Sequence, residues 1–402
     1  MNITSITQLP NVTLITTHGR MSIKPLNANE TLFELIDRAG IPWSAISAFS
    51  SQPDGDLVLL PSLDTPFSCM QNSSEILLHF NRNVNPDLFN IQKYNIAKAE
   101  NGPEVSSYLY QQIDNNAGTV SHILKDLSQL ECQDLVRQHV HNFITENFSP
   151  GTSFVVGISG GGDSNAMLMA MTSFDKFDIY IQPVILKGVA DWDAGVPRAQ
   201  ELCRTYGLDL RVIDESQVRE ICGMRNDQDL IQAYEANFPG DDFEFLGTFL
   251  IRRVLSHIAA ETGSIVCTGL NFEDILAECL YRVCSGKPPL SFPVRQLMST
   301  RFAYPLWMTP KKIIDGCFPK LSVDNYDMRY PCFSVGRNLY YMMAYTLQSK
   351  FPGSAERLVK GMSELVDKQG DDILENDIFG SILNGEISLE ASDRFKHLMG
   401  EK

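Results

Sequence analysis

The chain has 402 residues, 44% of them hydrophobic and 20% charged, the profile of a globular protein long enough for two or three domains. Lysine and arginine total 33 against 49 acids, and the resulting net charge of -16 repels a nucleic-acid backbone overall. No apolar run reaches the roughly 18–20 residues of a membrane span, Met1–Thr16 lacks a secretory pattern, and the nine cysteines include no CxxC pair. These features disfavour a membrane protein, a disulfide framework and a compact zinc ribbon, and lead us to expect a cytoplasmic protein.

Residues 1–88 are expected to form a small mixed unit. Val12–Thr16 and Met21–Pro25 read as an opening hairpin around His18-Gly19. Asn29 is placed as the N-cap of a helix carrying Leu32, Phe33, Leu35 and Ile36, closed by Gly40-Ile41-Pro42. Short strands are expected at Ile46–Phe49, Leu57–Leu60 and Glu75–Phe80. The order β-β-α-β-β-β resembles a β-grasp, the ubiquitin-like shape of small sulfur carriers, but without a carrier's free Gly-Gly end. A protein partner at this unit is one expectation.

Residues 89–148 are read as linker and helices. The stretch 90–118 is polar and broken by Asn101-Gly102-Pro103 and Asn115-Asn116-Ala117-Gly118, and apolar spacing from Val120 to Asn147 predicts helix. Residues 149–325 then alternate. Strands are predicted at Phe154–Ile158, Ile179–Ile185, Asp209–Ile213 and Ser264–Thr268, with helices at Asn165–Thr172, Val196–Tyr206 and Phe249–Ala260. Such alternation predicts an α/β fold, a doubly wound parallel sheet that binds ligands at the carboxyl ends of its strands. Residues 326–402 are expected to be a helical C-terminal region with an acidic tail.

Between the first of these strands and its helix lies Ser159-Gly160-Gly161-Gly162-Asp163-Ser164. A strand, a glycine-rich turn and a helix make an anion site. The glycines let backbone approach the ligand, successive N–H groups form a nest, and the helix N-terminus adds partial positive charge. The segment resembles the SGGxDS signature of the PP-loop, or N-type, ATP pyrophosphatases. That resemblance implies an adenine nucleotide alpha hydrolase-like (HUP) sheet and binding of ATP by Ser159, Gly160, Gly161, Gly162, Asp163 and Ser164. It also implies cleavage between the α- and β-phosphates.

A second segment, Thr268-Gly269-Leu270-Asn271-Phe272-Glu273-Asp274 followed by Glu278, resembles the T-G-H-N-x-D-D-x-x-E-T element of tRNA lysidine synthetases and tRNA thiolases. Leu270 and Glu273 depart from it. The resemblance adds Gly269 and Asn271 to the nucleotide site and Asp274 to the catalytic set. Asp163, Asp274 and Glu278 become candidate ligands of magnesium. Further on, Tyr304-Pro305-Leu306 and Lys311-Lys312-Ile313-Ile314 resemble the R-P-L and E-I segment of the same subgroup. Thiolases of this group carry a CxxC and a third cysteine. Here Cys222-Gly223-Met224-Arg225 keeps one cysteine of the pair, and Cys332 stands for the third, so a relay between Cys222 and Cys332 is an open alternative to their being core residues. Lys187, Arg252 and Arg253 are candidate cations for the phosphates, with Lys187, Ser164 and Cys332 among the candidate catalytic residues.

The function this implies is ATP-dependent adenylation of a carbonyl or carboxylate acceptor, small-molecule or protein-borne, followed by sulfur or nitrogen transfer. A tRNA-modifying thiolase or lysidine synthetase is the alternative, disfavoured by acidity. A nucleotide-binding regulator without turnover is the second.

Overall fold

A computed structural model of the chain describes residues 9–16, 19–51, 57–60, 63–70, 75–80, 105–114, 119–174, 177–188, 190–224, 243–284, 286, 288–297, 300–318, 335–351 and 353–367, together with Gln232, Tyr234 and Ala236. Contacts group the chain into two compact units, Met1–Leu135 with Pro310–Arg357, and Val136–Thr309 with Leu358–Lys402.

The first unit opens with strands β1 (Asn11–Thr16) and β2 (Gly19–Ile23), helix α1 (Leu32–Arg38), and strands β3 (Ile46–Ser51), β4 (Leu57–Leu59) and β5 (Glu75–Phe80). Their sheet runs β2-β1-β5-β3-β4, with β1 and β5 parallel at its centre and the other pairs antiparallel. This is the expected β-grasp-like arrangement. Val12, Leu14, Ala48, Ile76 and Leu78 share one buried face of the sheet, Ile15, Phe49, Leu57 and Leu77 cluster on the other, and Leu32, Leu35 and Ile36 bury one face of α1. The helix cap differs from expectation. Thr31, not Asn29, caps α1, because Thr31 and Glu34 satisfy each other's backbone N–H groups in a capping box, at 3.1 and 2.9 Å.

Over 105–128 the structure overturns the sequence reading. Strands β6 (Val105–Asp114) and β7 (Thr119–Ser128) pair antiparallel in continuous register from Val105↔Ser128 to Asp114↔Thr119. Helix α2 (Gln129–Asn147) begins only after them. Val120, Ile123, Leu124 and Leu127 fit helical spacing, but ladder pairing with the preceding strand β6 decides the conformation.

The second unit contains β8 (Thr152–Gly157), α3 (Gly162–Met171), β9 (Ile179–Leu186), α4 (Ala190–Thr205), β10 (Arg211–Ile213), α5 (Glu215–Cys222), α6 (Phe243–Thr262), β11 (Ile265–Cys267), α7 (Phe272–Cys284), β12 (Val294–Leu297) and β13 (Thr300–Ala303). The sheet order is β10-β9-β8-β11-β13-β12, all parallel except the edge strand β12. From β8 the chain moves outward to β9 and β10, then crosses back to β11 on the other side. This reversal of direction at β8 makes the sheet doubly wound and HUP-like, as expected. Phe154, Val155, Val156, Val266 and Phe302 are buried on its strands. The hairpin of β12 and β13 was not anticipated, its strands being four residues each.

Helices α8 (Lys311–Cys317), α9 (Val335–Lys350) and α10 (Ser354–Asp367) complete the described chain. Within the first unit, Trp43 Nε1 donates to Ser349 O (3.0 Å) and Ser44 Oγ to Tyr345 O (2.9 Å), which ties the β-grasp sheet to α9. Lys311 and Lys312 are buried there: Lys311 pairs with Asp315 at 3.2 Å, and Lys312 donates to Ile46 O. Most of the acidic tail lies outside the described residues. No described helix is long and apolar enough to cross a membrane.

Candidate functional site

The strand order reverses between β8 and β11, and the loops that leave these two strands carry both signature segments. In open α/β sheets the crevice at such a reversal, beyond the carboxyl ends of the strands, is where ligands bind. The loop after β8 is closed by its own serines. Ser159 N–H donates to Ser164 Oγ at 2.9 Å, the two hydroxyls lie 3.3 Å apart, and Gly161 N–H reaches Ser159 Oγ at 3.3 Å. Gly160 sits at φ 74°, in the left-handed region that glycine enters without steric penalty. Gly161 caps α3 with no side-chain hydrogen bond, and Gly162, Asp163 and Ser164 form the first turn. The first-turn N–H groups of such a helix have no intrahelical partner and attract an anion.

The second segment runs alongside. A Cβ built on Gly269 would lie 3.5 Å from Asp163 Cβ, ordinary van der Waals contact, so the two loops are adjacent. Asn271 caps α7: its Oδ1 accepts from Asp274 N–H at 3.1 Å, and Asp274 Oδ2 accepts from Asn271 N–H at 3.0 Å. Asn271 is fully buried, and its Nδ2 has no hydrogen-bond partner among the described residues. A buried amide donor left unpaired costs about 1–3 kcal/mol, which a ligand oxygen at this position would recover.

The expected magnesium trio is not gathered. Among the described residues no three His, Cys, Asp or Glu side chains come together to hold a metal ion. Asp274 is committed to the α7 cap. Glu278, one turn further on, is bound through both carboxylate oxygens by the fully buried guanidinium of Arg295 on β12. Burial would raise the Glu278 pKa, but Arg295, with Arg252 and Arg282, outweighs it and holds the carboxyl below its ordinary range. Arg252 thus belongs to the Glu278 cluster, while Arg253 is exposed and acts on Cys222. Lys187 follows β9 with its side chain exposed, beside a small pocket also lined by Trp192, Glu215 and Arg219.

Cys332 lies outside the described residues. Cys222 ends α5, where burial, only partly opposed by Arg253, pushes its thiol up to about 12. Cys267 and Cys279 are likewise buried and pushed up. Thiols of this kind stay protonated near neutral pH and are poor nucleophiles. Two features of the site went unread in the sequence. One is Arg295, which sits far along the chain from its partner. The other is Gly195 in α4, whose sequence signal was a glycine inside an otherwise helical pattern.

No protein-family model and no curated protein matches the chain. Among solved structures it is similar to a U34-tRNA thiolase, NcsA from Methanococcus maripaludis with its 4Fe-4S cluster, at 15% identity over 64% of this chain and 84% of that one, TM-score 0.48. It is also similar to an NH3-dependent NAD synthetase from Campylobacter jejuni (15% identity, 61% and 97% covered, TM-score 0.32). An NMN synthetase from Francisella tularensis gives 14% identity, 68% and 94% covered, and a TM-score of 0.31. The thiolase and NAD synthetase structures are of the superfamily that the phosphate loop resembles. Likenesses of this size say nothing of activity, and the chemistry of the site rests on its own residues.

Proposed function

We propose that this chain is a cytoplasmic enzyme that binds ATP at the Ser159–Ser164 loop and transfers the adenylyl group to an acceptor oxygen. The observation that carries this reading is the junction of the two loops at the sheet's reversal point. The uncapped first turn of α3 and left-handed Gly160 lie on one side, and Gly269 and the unpaired Nδ2 of buried Asn271 on the other. The loop N–H groups favour phosphate oxygens, and Asn271 Nδ2 offers a further donor to the nucleotide or to the acceptor.

In the reaction, a carbonyl or carboxylate oxygen of the acceptor attacks the α-phosphorus. The bond to the bridging oxygen of the β-phosphate breaks, and pyrophosphate leaves with the electron pair. A nitrogen or sulfur nucleophile then displaces AMP from the activated acceptor. Magnesium enters with the triphosphate as part of the substrate, since no ligand trio gathers among the described residues. Asp163 brings a carboxylate to the first turn of α3, the end of the helix that would face the phosphates. The net charge of -16 favours a small-molecule or protein-borne acceptor over tRNA.

Asp163→Asn, assayed for AMP and pyrophosphate release across candidate acceptors, should lose turnover by about a hundredfold or more while the protein stays folded. Unchanged release would remove Asp163 from the mechanism, and release of ADP and phosphate by the wild type would contradict the proposed bond cleavage.

A further inference from the structure

The loops that leave β11 and β13 are bridged at both ends. Thr268 N–H donates to Ala303 O at 3.2 Å where the strands stop, and Phe272 N–H donates to Thr309 O at 3.2 Å where α7 starts. Two buried residues inside this frame, Asn271 and Tyr304, have every polar group engaged except one. Asn271 gives its N–H to Asp274 Oδ2, its carbonyl accepts from Ile275 N–H, and its Oδ1 accepts from Asp274 N–H. Tyr304 gives its N–H to Pro293 O at 3.0 Å, its carbonyl accepts from Trp307 N–H at 3.1 Å, and the Arg295 guanidinium lies 5.2 Å from its ring centre. Asn271 Nδ2 and the Tyr304 hydroxyl are left over, both buried and without a hydrogen-bond partner among the described residues. Folded proteins pair nearly all such groups, so two unpaired ones on neighbouring strand ends, in residues otherwise held fast, call for a ligand.

We propose that Asn271 Nδ2 and the Tyr304 hydroxyl bind the acceptor, and that this acceptor is a neutral amide-type carbonyl (an amide, lactam or ureide) rather than a carboxylate. The proposal rests on the nucleotide reading above and narrows the acceptor named there. On its β9 side the phosphate loop is covered by α4. A Cβ at Gly160 would lie 2.8 Å from Gly195 O, and one at Gly195 would lie 2.6 Å from Ser159 O, so neither position admits a side chain. On the β11 side Gly269 meets Asp163 at ordinary contact distance, and the frame around Asn271 and Tyr304 begins one residue before it. The acceptor therefore approaches the phosphates from the ends of β11 and β13. The pair's chemistry selects it. An amide N–H donates to a carbonyl oxygen, and a phenol hydroxyl both donates and accepts, so it also serves the N–H beside that carbonyl. Neither group is charged, and the guanidinium next to Tyr304 is bound through both oxygens of Glu278, so the pair brings a carboxylate no counterion. In the transfer the carbonyl oxygen attacks the α-phosphorus and pyrophosphate leaves with the electron pair of the broken bond. The amide N–H proton passes to water, which leaves an O-adenylyl imidate from which the nucleophile displaces AMP.

The test reads pyrophosphate release by the full chain with ATP in magnesium and two matched pairs of probes, benzamide with benzoate and hydantoin with hydantoate. Wild type is compared with Tyr304→Phe and with Asn271→Ser, which keeps an oxygen to cap α7 and removes the amide donor. Calorimetric titration with an uncleavable ATP analogue and thermal melting accompany the assay. The neutral member of each pair is expected to stimulate release, and its carboxylate is not. Each variant should lose that stimulation by about tenfold or more while its affinity for the analogue stays within about twofold. Tyr304→Phe should melt no lower than wild type, because its hydroxyl has no partner to lose, a result that a structural role would not give. A lower melting temperature would overturn the assignment, since it would show the hydroxyl bound within the fold by protein or by water. Stimulation by carboxylates alone, no stimulation by either neutral probe, or full stimulation in either variant would overturn it as well. A parallel loss of analogue affinity in both variants would put the pair on the nucleotide and overturn it too. In each of these cases binding of the analogue by wild type leaves the nucleotide reading standing, whereas wild-type protein that binds no analogue would overturn both.

Discussion

Glu278 and Arg295 meet across 17 residues of sequence, and the guanidinium is fully buried while the carboxylate keeps limited contact with solvent. Replacing the carboxylate leaves Arg295 uncompensated in the interior, at a cost of about 3 kcal/mol, the lower end for a broken buried pair. Glu278→Gln should therefore lower the unfolding free energy by about that amount near neutral pH. The sign with pH follows from the lowered pKa. The pair's contribution is complete above the ordinary carboxyl value of 4.5 and is lost as pH falls through the lower folded value. Thermal melts from neutral to acid pH should show the wild type's advantage over the variant narrowing only on the acid side. A gap that is constant with pH would show that the pair does not stabilise the fold through charge. From sequence, Glu278 reads as a metal ligand because its position in the motif is visible while its partner is not. Residue types advertise local chemistry, such as glycine at Gly160 or aspartate at Asp163. They do not advertise which distant side chain will neutralise a charge.

At the scale of elements, the β-grasp sheet is fastened to α9 by a tryptophan and a serine from the turn before β3. Trp43 is buried, and its indole N–H is the donor to Ser349 O. Trp43→Phe keeps most of the apolar bulk and removes that bond, so stability should drop by about 1–3 kcal/mol in denaturant titration. ATP affinity should not change, because the phosphate loop belongs to the other unit. A variant as stable as wild type would mean that this hydrogen bond does not hold the element in place. Apart from β12 and β13, the strands of both main sheets were legible because apolar runs bounded by turn residues survive in one dimension. Hairpin β6–β7 was not legible, since its second strand carries apolar residues at helical spacing and only cross-strand pairing decides between the two. The Asn115-Asn116-Ala117-Gly118 signal was real punctuation, lying between the paired ends Asp114 and Thr119, but it separates two strands rather than ending a linker. Helix α4 was legible in outline, while the close approach of Gly195 to Ser159 depends on how the helix packs.

For the molecule as a whole, the excess of 16 negative charges is the property most directly set by composition. Phosphate-backbone contacts are electrostatic and weaken steeply with salt, so a strongly acidic protein should form no tRNA complex at about 0.15 M ionic strength. Gel shift with bulk tRNA checks this, and a stable complex at that salt would restore the tRNA-modifying alternative. Acidity does not oppose ATP in the same way. A nest of N–H groups and a helix start act on a bound phosphate within a few ångströms, whereas surface carboxylates are screened over about 8–10 Å.

The central claim is that the Ser159–Ser164 loop holds the phosphates of ATP, and it needs no knowledge of the acceptor to test. Calorimetric titration of the full chain with an ATP analogue that cannot be cleaved between its α- and β-phosphates, in magnesium, would be compared with the same titration of Gly161→Asp. That substitution puts a carboxylate at the cap of α3, where the phosphates are placed. Magnesium-dependent binding by the wild type that the variant loses is the predicted result. Absence of binding by the wild type, or equal binding by both proteins, would contradict the account.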